Sequence, residues 1–393
     1  MDETSYGLIK PSFQLDPQLD SNIFVGRDDV KSKLDDRLKR SMPTKSAMHT
    51  MIYGDFGAGK THTLNYAARF LAEQKLDVLP IFVGSPRIDE KSDPSDLYRS
   101  IILAMSTSNI FSIFVKIFDS IQDRIKETQD LYKRVDVIDE VIRNRDLSFV
   151  LYRYITSRPA EDFLVAKWLS GEKLSAKEKG TLQVMQDNSD PNTAIQTLIS
   201  LLTLFKTISK KYVLLLLDEM ETLENLPSRK QRDFESFLRQ LVGQDTYIAV
   251  MIAFTIRGGA VEQSLPMFQP TSAVGTRVGY PQNYIELKEF DDPERMKTFV
   301  RELIAALRDP KADIKTLCKK AKSRTKEEIG EDFFPFTDDA VELIFQRSVQ
   351  GRVRKLLLPR DIQKVMTDCL GDAIIKDKPL IDTEIVERVM AQE

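Results

Sequence analysis

The sequence predicts an α/β protein with three layers, built on a five-stranded parallel sheet with a large helical insert and a C-terminal helical lid. Short apolar runs alternate with helix-like segments, which is typical of a parallel sheet covered by helices. One run of five residues in "KYVLLLLDEMETL" is apolar at every position and ends in two acids, as expected of a strand buried on both faces. A glycine-rich loop, "GDFGAGK" (54–60), joins a strand-like run to a helix-like run.

Composition narrows the class of protein. With 393 residues the chain can bury a sizeable core and form two or more structural units. The 57 basic and 60 acidic residues leave a net charge of −3, so no global basicity indicates nucleic-acid or membrane binding, although a local basic stripe completed in an oligomer stays open. The two cysteines and two histidines lack disulfide or zinc spacing, which favours a reducing cytosol. Neither a signal peptide nor an uninterrupted membrane span is expected.

The N-terminal part is expected to supply an arm, a helix and two strands. Residues 1–20 are polar and lack periodicity, which predicts an N-terminal arm. Val30, Leu34 and Leu38 then recur at four-residue spacing, which predicts a helix. Buried-strand patterns in "MHTMIYG" and "DVLPIFV" lie on either side of the glycine-rich loop and a helix over about 60–74.

The remaining chain is expected to alternate between helical and sheet segments. A helical insert covers about 94–210, with breaks near Ser157 and at "DNSDPN" (187–192). The strand before "DEMETL" follows, then strands in "DTYIAVMIAFTIRGG" and "NYIELKEF", which complete an α/β domain over 21–290. From 291 to 393 the pattern is helical again and predicts the lid. Core packing is the simplest reading of the insert's Phe111, Phe114 and Phe118; the insert's length favours a partner or subunit surface beyond that.

The loop "GDFGAGKT" matches the phosphate-loop pattern of glycine, four residues, then Gly-Lys-Thr. Its glycines let backbone N–H groups surround phosphates, and the following helix adds its positive dipole end. Lys60 is expected to neutralise the β- and γ-phosphates of ATP, and the Thr61 hydroxyl to ligate Mg²⁺. The competing explanation is a glycine-rich turn that fits by chance. The residues of the predicted loop are Gly54, Asp55, Phe56, Gly57, Ala58, Gly59, Lys60 and Thr61.

Two acids follow the most apolar strand. Asp218 and Glu219 stand where ligands gather in an open parallel sheet, at the carboxyl end of a strand. Asp218 is expected to hold Mg²⁺ through water, and Glu219 to orient and polarise the attacking water. The alternative is two acids that cap the next turn. A glutamate directly after the aspartate favours hydrolysis over phosphoryl transfer to a small molecule.

These motifs together resemble those of the AAA+ ATPases. "IFVGRDDV" (23–30) is similar to the Val-Gly-Arg-Glu box that precedes the phosphate loop and lies against adenine in initiator-type AAA+ proteins and STAND signalling ATPases, with Asp28 in place of the glutamate. The resemblance is closest to bacterial ATP-binding proteins of phage defence, including BREX systems, through "VGR", "GDFGAGKTH", "KWLSGEKL" and "LLDEMETL" over about 20–260. It implies the ASCE class of P-loop fold. The further nucleotide-binding residues that it implies are Val25, Gly26, Arg27 and His62.

The same resemblance implies accessory residues. Thr255, at the polar end of "AVMIAFTI", is the sensor-1 candidate, against a strand threonine satisfied by the sheet. Arg277 is the arginine-finger candidate that would reach a neighbour's γ-phosphate, with Arg257 as the alternative and no finger as the third reading. Arg360, after Pro359, resembles the sensor-2 arginine at the start of a lid helix. Arg352 and Arg354 compete with it, as does a solvated basic face.

The leading hypothesis is an ATPase whose nucleotide state drives assembly of a homo-oligomer that acts with partner proteins on nucleic acid in anti-phage defence. Contact with nucleic acid is expected from the assembly rather than the monomer, since the chain stops soon after the lid and leaves no room for a winged-helix domain. Lys-rich 318–328 is expected to be a solvated helix face. The rival is a STAND-like switch or scaffold that recruits an effector without motor activity. A small-molecule kinase is the third reading.

Overall fold

The computed structural model describes residues 6–44, 48–74, 77–86, 88–156, 159–243, 248–256, 260–323, 327–349 and 357–391. The strands are β1 (His49–Gly54), β2 (Val78–Val83), β3 (Tyr212–Leu217), β4 (Ile248–Thr255) and β5 (Tyr284–Leu287). The helices up to the end of the insert are α1 (Asp28–Thr44), α2 (Lys60–Glu73), α3 (Pro94–Met105), α4 (Thr107–Lys126), α5 (Leu131–Ile142), α6 (Arg145–Thr156), α7 (Pro159–Leu169), α8 (Ala176–Leu182) and α9 (Pro191–Thr207). Those after it are α10 (Ser228–Val242), α11 (Ala273–Val278), α12 (Pro293–Ala306), α13 (Ile314–Lys322), α14 (Asp338–Val349), α15 (Pro359–Ile375) and α16 (Thr383–Met390).

The strands form one five-stranded parallel sheet of order β2-β3-β4-β1-β5. In register, Val78 lies opposite Tyr212 and Val83 opposite Leu217. All of β3 is buried, which explains why its sequence is continuously apolar rather than alternating. The predicted α/β class with a five-stranded parallel sheet is therefore confirmed. The order also places β4 between the strand that precedes the glycine loop and the strand that precedes the two acids.

The chain packs into two compact units that do not follow its linear order. The phosphate-loop unit comprises Met1–Asp35, Gly54–Arg69 and Glu286–Glu393. The insert unit comprises Asp36–Tyr53 and Phe70–Ile285. Each has its own cluster of buried apolar side chains. The domain boundaries predicted from sequence at 20/21 and 290/291 remain predictions. The two units are defined by contacts in space, and each combines segments that are distant in the chain.

The segment predicted as an N-terminal arm packs onto the phosphate-loop unit over the residues described, from residue 6 onward. Tyr6 and Phe13 are fully buried in its core. The Tyr6 hydroxyl donates a hydrogen bond to the Lys378 carbonyl (2.5 Å), and the Phe13 amide donates to Thr367 Oγ1 (3.0 Å). Tyr6, Leu8 and Phe13 are all buried, so a segment that looks featureless in sequence packs into the core of this unit.

The helical insert is built as a core with a buried polar network. Phe114 is fully buried and Phe111 stacks on Tyr154 at 4.3 Å, so these aromatic residues pack as expected. The buried Asn188 amide donates to Tyr98 Oη and to the Trp168 carbonyl, both at 3.0 Å. Its carbonyl accepts a bond from Thr197 Oγ1 at 2.8 Å. "KWLSGEKL" and "DNSDPN" thus meet in one structural junction.

Helix α13 carries the Lys-rich segment as far as Lys322. Cys318 and Ala321 face the core, whereas Lys319, Lys320 and Lys322 are exposed. This is the solvated basic face expected from the sequence.

Among the described residues, no single helix is long and apolar enough to cross a membrane. The pair α3 and α4, bent by 77° at its break, meets the same test of length and composition when taken together.

Candidate nucleotide-binding site

The glycine loop runs from the end of β1 to the start of α2 with backbone conformations that favour glycine. Gly57 and Gly59 have φ values of 92° and 95°, in the left-handed region that L side chains avoid. Lys60 folds back over the loop, where its Nζ donates to the carbonyls of Gly54 (3.2 Å) and Asp55 (3.0 Å). The first N–H groups of α2 have no intrahelical acceptor and open toward the loop. The structure thus places the Lys60 ammonium group beside the loop, at the N-terminal end of α2.

Gly54 is required for a different reason, namely close approach. A Cβ at this position would lie 2.6 Å from the carbonyl oxygen of Leu287, at the end of β5. That distance is shorter than any ordinary carbon–oxygen contact, so only glycine lets the loop start here without moving β5.

Arg360, the sensor-2 candidate, lies against this loop. Its Cβ is 3.1 Å from where a Cβ on Gly57 would stand, and its guanidinium carbon lies 5.1 Å from the centroid of the Phe56 ring. Phe56 itself is 65% exposed, so the contact forms at the loop's outer surface. The structure therefore brings Arg360 together with the predicted loop. Arg352 and Arg354, its competitors, lie outside the described residues.

The Val25-Gly26-Arg27 box packs against α12. The Gly26 amide donates to Glu302 Oε2 at 2.6 Å, and a Cβ on Gly26 would meet Phe299 at 2.7 Å. The Arg27 guanidinium carbon lies 5.8 Å from the Phe290 ring centroid. Burial lowers the pKa of Arg27 to about 10, so its charge is retained at neutral pH.

Within the described residues, Arg27 Nη2 is a buried nitrogen without a hydrogen-bond partner. A buried donor left unpaired is costly and is commonly satisfied by a ligand or water. Arg27 also lines a small cleft whose other walls include Gly26, Val30 and Phe290. An apolar ring beside unpaired donors suits a flat heterocycle with acceptor atoms, which is the chemistry of a nucleotide base.

His62, in the first turn of α2, connects the loop to the box. Its Nε2 lies 2.7 Å from the Ile23 carbonyl oxygen; since a carbonyl only accepts, this nitrogen carries the proton. Burial lowers the pKa of His62, so the ring is neutral at pH 7. The Phe24 ring packs between His62 (6.2 Å) and Tyr66 (4.6 Å). The box is thereby fixed to the helix that begins in the phosphate loop.

In the insert unit, the two acids occupy contrasting environments. Asp218 is 2% exposed, and its amide donates to the Val83 carbonyl (2.9 Å), which extends the sheet pairing by one residue. Glu219 is exposed and has a φ of 53°, a left-handed value for a residue other than glycine. Its amide donates to Asp218 Oδ1 at 2.9 Å. A carboxylate that is exposed at a strand end can act on solvent water, whereas one oxygen of its buried neighbour accepts a hydrogen bond from the turn.

Thr255, the sensor-1 candidate, ends β4 and is hydrogen-bonded to Glu221, an acid that no sequence motif singles out. Its amide donates to Glu221 Oε2 (3.0 Å) and its hydroxyl donates to Glu221 Oε1 (2.5 Å). The hydroxyl is therefore engaged by a carboxylate and not by a neighbouring strand. The signal that could have shown Glu221 is its place in "DEMETL", two residues beyond Glu219.

Arg277, the arginine-finger candidate, is exposed on α11. Its Nη1 donates to the Ala273 carbonyl of the same helix (3.1 Å). Arg257, the alternative, lies outside the described residues. The finger role requires a neighbouring subunit and stays a prediction.

Comparison with known proteins identifies a family that this chain matches. A model of the family described as BREX system ATP-binding protein BrxC/D matches residues 17–259. No curated protein matches. Similar solved structures include Aeropyrum pernix Orc1 in complex with DNA (12% identity, TM-score 0.47, covering 94% of this chain and 66% of that one) and Cdc6p from Pyrobaculum aerophilum (12%, 0.48, 99% and 70%). Drosophila ORC bound to DNA is similar at 10% identity and a TM-score of 0.43, covering 93% and 60%.

At these identities and TM-scores the structural similarities carry no functional conclusion. The family match is different, because it spans more than half of the chain and contains both the glycine loop and the Asp218-Glu219 turn. The chain belongs to the BREX system ATP-binding protein BrxC/D family.

Proposed function

We propose that this protein binds ATP with Mg²⁺ and hydrolyses the β–γ phosphate bond. The observation that carries the proposal is the loop of residues 54–61. Its two glycines at positive φ, the inward-folded Lys60 and the start of α2 form a phosphate cradle in the unit that also holds the Val25-Gly26-Arg27 box. Membership of an ATP-binding family supports the choice of ligand.

The residues fit a hard divalent cation in donor type. Thr61 offers a hydroxyl and Asp218 a carboxylate, which are the oxygen ligands that Mg²⁺ prefers. A Mg²⁺ ion bound with the nucleotide would neutralise charge on the phosphates. Lys60 adds a fixed positive charge at the same phosphates. Glu219 accepts a proton from the attacking water, and Thr255 orients that water at the carboxyl end of the neighbouring strand.

The nucleotide state controls assembly in this proposal. Arg277 is exposed and donates to a carbonyl of its own helix; in a neighbouring subunit its guanidinium would stabilise charge that develops on the transferred phosphoryl group. Arg360, on α15, contacts the same loop and is the proposed sensor-2 arginine. The assembled form acts with partner proteins, and on nucleic acid, in anti-phage defence. The competing function is an ATP-dependent switch that recruits an effector as a monomer.

The first experiment measures nucleotide binding by Lys60→Ala beside Lys116→Ala, an exposed lysine on α4. We expect Lys60→Ala to weaken ATP binding by about a hundredfold or more, roughly 3 kcal/mol, and the control to bind as the wild type does. Full affinity in Lys60→Ala would contradict the phosphate-loop assignment.

The second part of the experiment is the solution mass of Glu219→Gln with and without ATP and Mg²⁺. Without its carboxylate the variant should retain ATP and not turn it over, so a large species that forms only with ATP would support assembly. A monomer in both conditions would favour the switch. Wild-type turnover in Glu219→Gln would remove that residue from the mechanism.

A further inference from the structure

We propose that Glu221 is a positioning residue that fixes the Thr255 hydroxyl as a hydrogen-bond acceptor for the attacking water. The inference rests on the ATP hydrolysis proposed above and adds a residue and a proton arrangement to it. Neither the phosphate-loop pattern nor the Asp218-Glu219 pair assigns any role to Glu221.

The geometry is a two-point clamp across 34 residues of sequence. One carboxylate oxygen of Glu221 accepts from the Thr255 amide and the other accepts from the Thr255 hydroxyl, at 3.0 and 2.5 Å. Bonds to an ionised carboxylate are shorter and stronger than neutral ones. Because both oxygens are used and both donors belong to one residue, the clamp fixes backbone and side chain of Thr255 together.

The turn that carries Glu221 is itself held in place. The Glu219 carbonyl accepts bonds from the Thr222 amide (3.1 Å) and the Thr222 hydroxyl (2.9 Å). Met220 and Leu223 on the same 3₁₀ helix (Met220–Asn225) are fully buried. Glu221 is thus a carboxylate on a rigid support, and not an exposed side chain that happens to meet Thr255.

The chemical consequence follows from the single proton of a hydroxyl group. Thr255 donates that proton to Glu221, so its remaining lone pairs can only accept. A water beside Thr255 would therefore donate one proton to Oγ1 and keep its own lone pair for attack. The two acids therefore have different roles. Both oxygens of Glu221 accept hydrogen bonds from Thr255, whereas Glu219 is exposed and accepts the proton of the reacting water.

Steady-state kinetics of Glu221→Gln, Thr255→Val and the double variant test the assignment. An amide can accept from only one of the two donors, so we expect kcat to fall about tenfold, the size of one lost charge-assisted bond, with KM and ATP affinity within about twofold of wild type. Thr255→Val should show the same pattern. The double variant should be no slower than the slower single variant, because both changes break one unit. Glu224→Gln, an exposed acid on the same 3₁₀ helix, should behave as wild type.

Losses that multiply in the double variant, or an unchanged kcat in Glu221→Gln, would overturn the proposal. Amide hydrogen exchange at the end of β4 provides a readout that does not depend on turnover. Exchange at Thr255 should be faster in Glu221→Gln than in wild type and in Glu224→Gln, and equal rates would refute the clamp. If the wild-type protein fails to hydrolyse ATP while the exchange difference is present, the proposed function fails and the clamp between Glu221 and Thr255 stands.

Discussion

Two segments of this protein follow buried strands and carry its proposed chemistry, yet they keep their shapes by different means. The loop 54–61 after β1 places glycines at its positive φ values. The turn 218–221 after β3 places Glu219 there instead, and holds it with hydrogen bonds from and to its neighbours. The first shape depends on the backbone conformations that glycine can adopt. The second is imposed by side-chain contacts, including one from the end of β4.

The proposed chemistry gives a reason for the difference. Backbone N–H groups can turn inward around a phosphate where the loop takes positive φ values, which glycine adopts without strain. A hydrolytic acid needs its carboxylate at a defined point, so a side chain must stand at a position where glycine would be conformationally easier. The three predictions below test this contrast.

The largest effect is expected from Gly54→Ala, because the new Cβ would lie 2.6 Å from the Leu287 carbonyl oxygen. We expect a loss of about 2–3 kcal/mol in the free energy of unfolding, since a backbone oxygen cannot move aside as a side chain can. Urea denaturation followed by circular dichroism measures it.

Gly371→Ala is the matched control for that measurement. Gly371 lies within α15 in the same unit, and a Cβ there meets nothing within 4 Å. It should stabilise the protein by up to about 1 kcal/mol through helix propensity. Equal effects of the two substitutions would show that close approach does not explain Gly54.

An intermediate effect is expected at Glu219, whose φ of 53° strains any residue with a Cβ. Glu219→Gly and Glu219→Ala both remove the carboxylate, but only glycine relieves the strain. We expect Glu219→Gly to be more stable than Glu219→Ala by about 1 kcal/mol, and both to lose ATP hydrolysis. Differential scanning calorimetry compares them. Equal stability would mean that the turn stores no strain at Glu219.

The smallest effect is expected at the outer surface of the phosphate loop, where Arg360 lies over the Phe56 ring. A double-mutant cycle with Phe56→Leu and Arg360→Met should give a coupling free energy of about 0.5 kcal/mol in the nucleotide-free protein, as for an exposed cation–π pair. Thermal unfolding of the four proteins supplies the numbers. Additive effects would mean that the loop keeps its form without help from α15.

The sequence could predict the parallel sheet because a strand buried on both faces appears as a continuous run of apolar residues. β3 is apolar at every position, and the loop after β1 has its glycines at fixed spacing. The aromatic residues of the insert were likewise correctly assigned to packing, since helical spacing of large apolar side chains indicates a core.

Contacts between distant segments correspond to no such local sequence pattern. In the sequence, Glu221 is only one of the acids in "DEMETL"; its hydrogen bonds with Thr255 are visible only in the structure. The Gly26 amide binds Glu302 on a helix 276 residues further along, and Tyr6 reaches the carbonyl of Lys378 from a segment without periodicity. Each of these partners is an ordinary polar residue whose spacing in the chain carries no information.

By itself, then, the sequence determined the fold class, the glycine loop and the acid pair, because backbone freedom and strand burial depend on residues that are adjacent in the chain. Only the tertiary structure decided that Arg360 lies on the loop, that the Val25-Gly26-Arg27 box packs against α12, and that the Thr255 hydroxyl donates a hydrogen bond to Glu221. Those arrangements depend on which surfaces meet after the chain packs, and a hydrogen bond between distant residues is fixed by distance in space rather than by any local pattern.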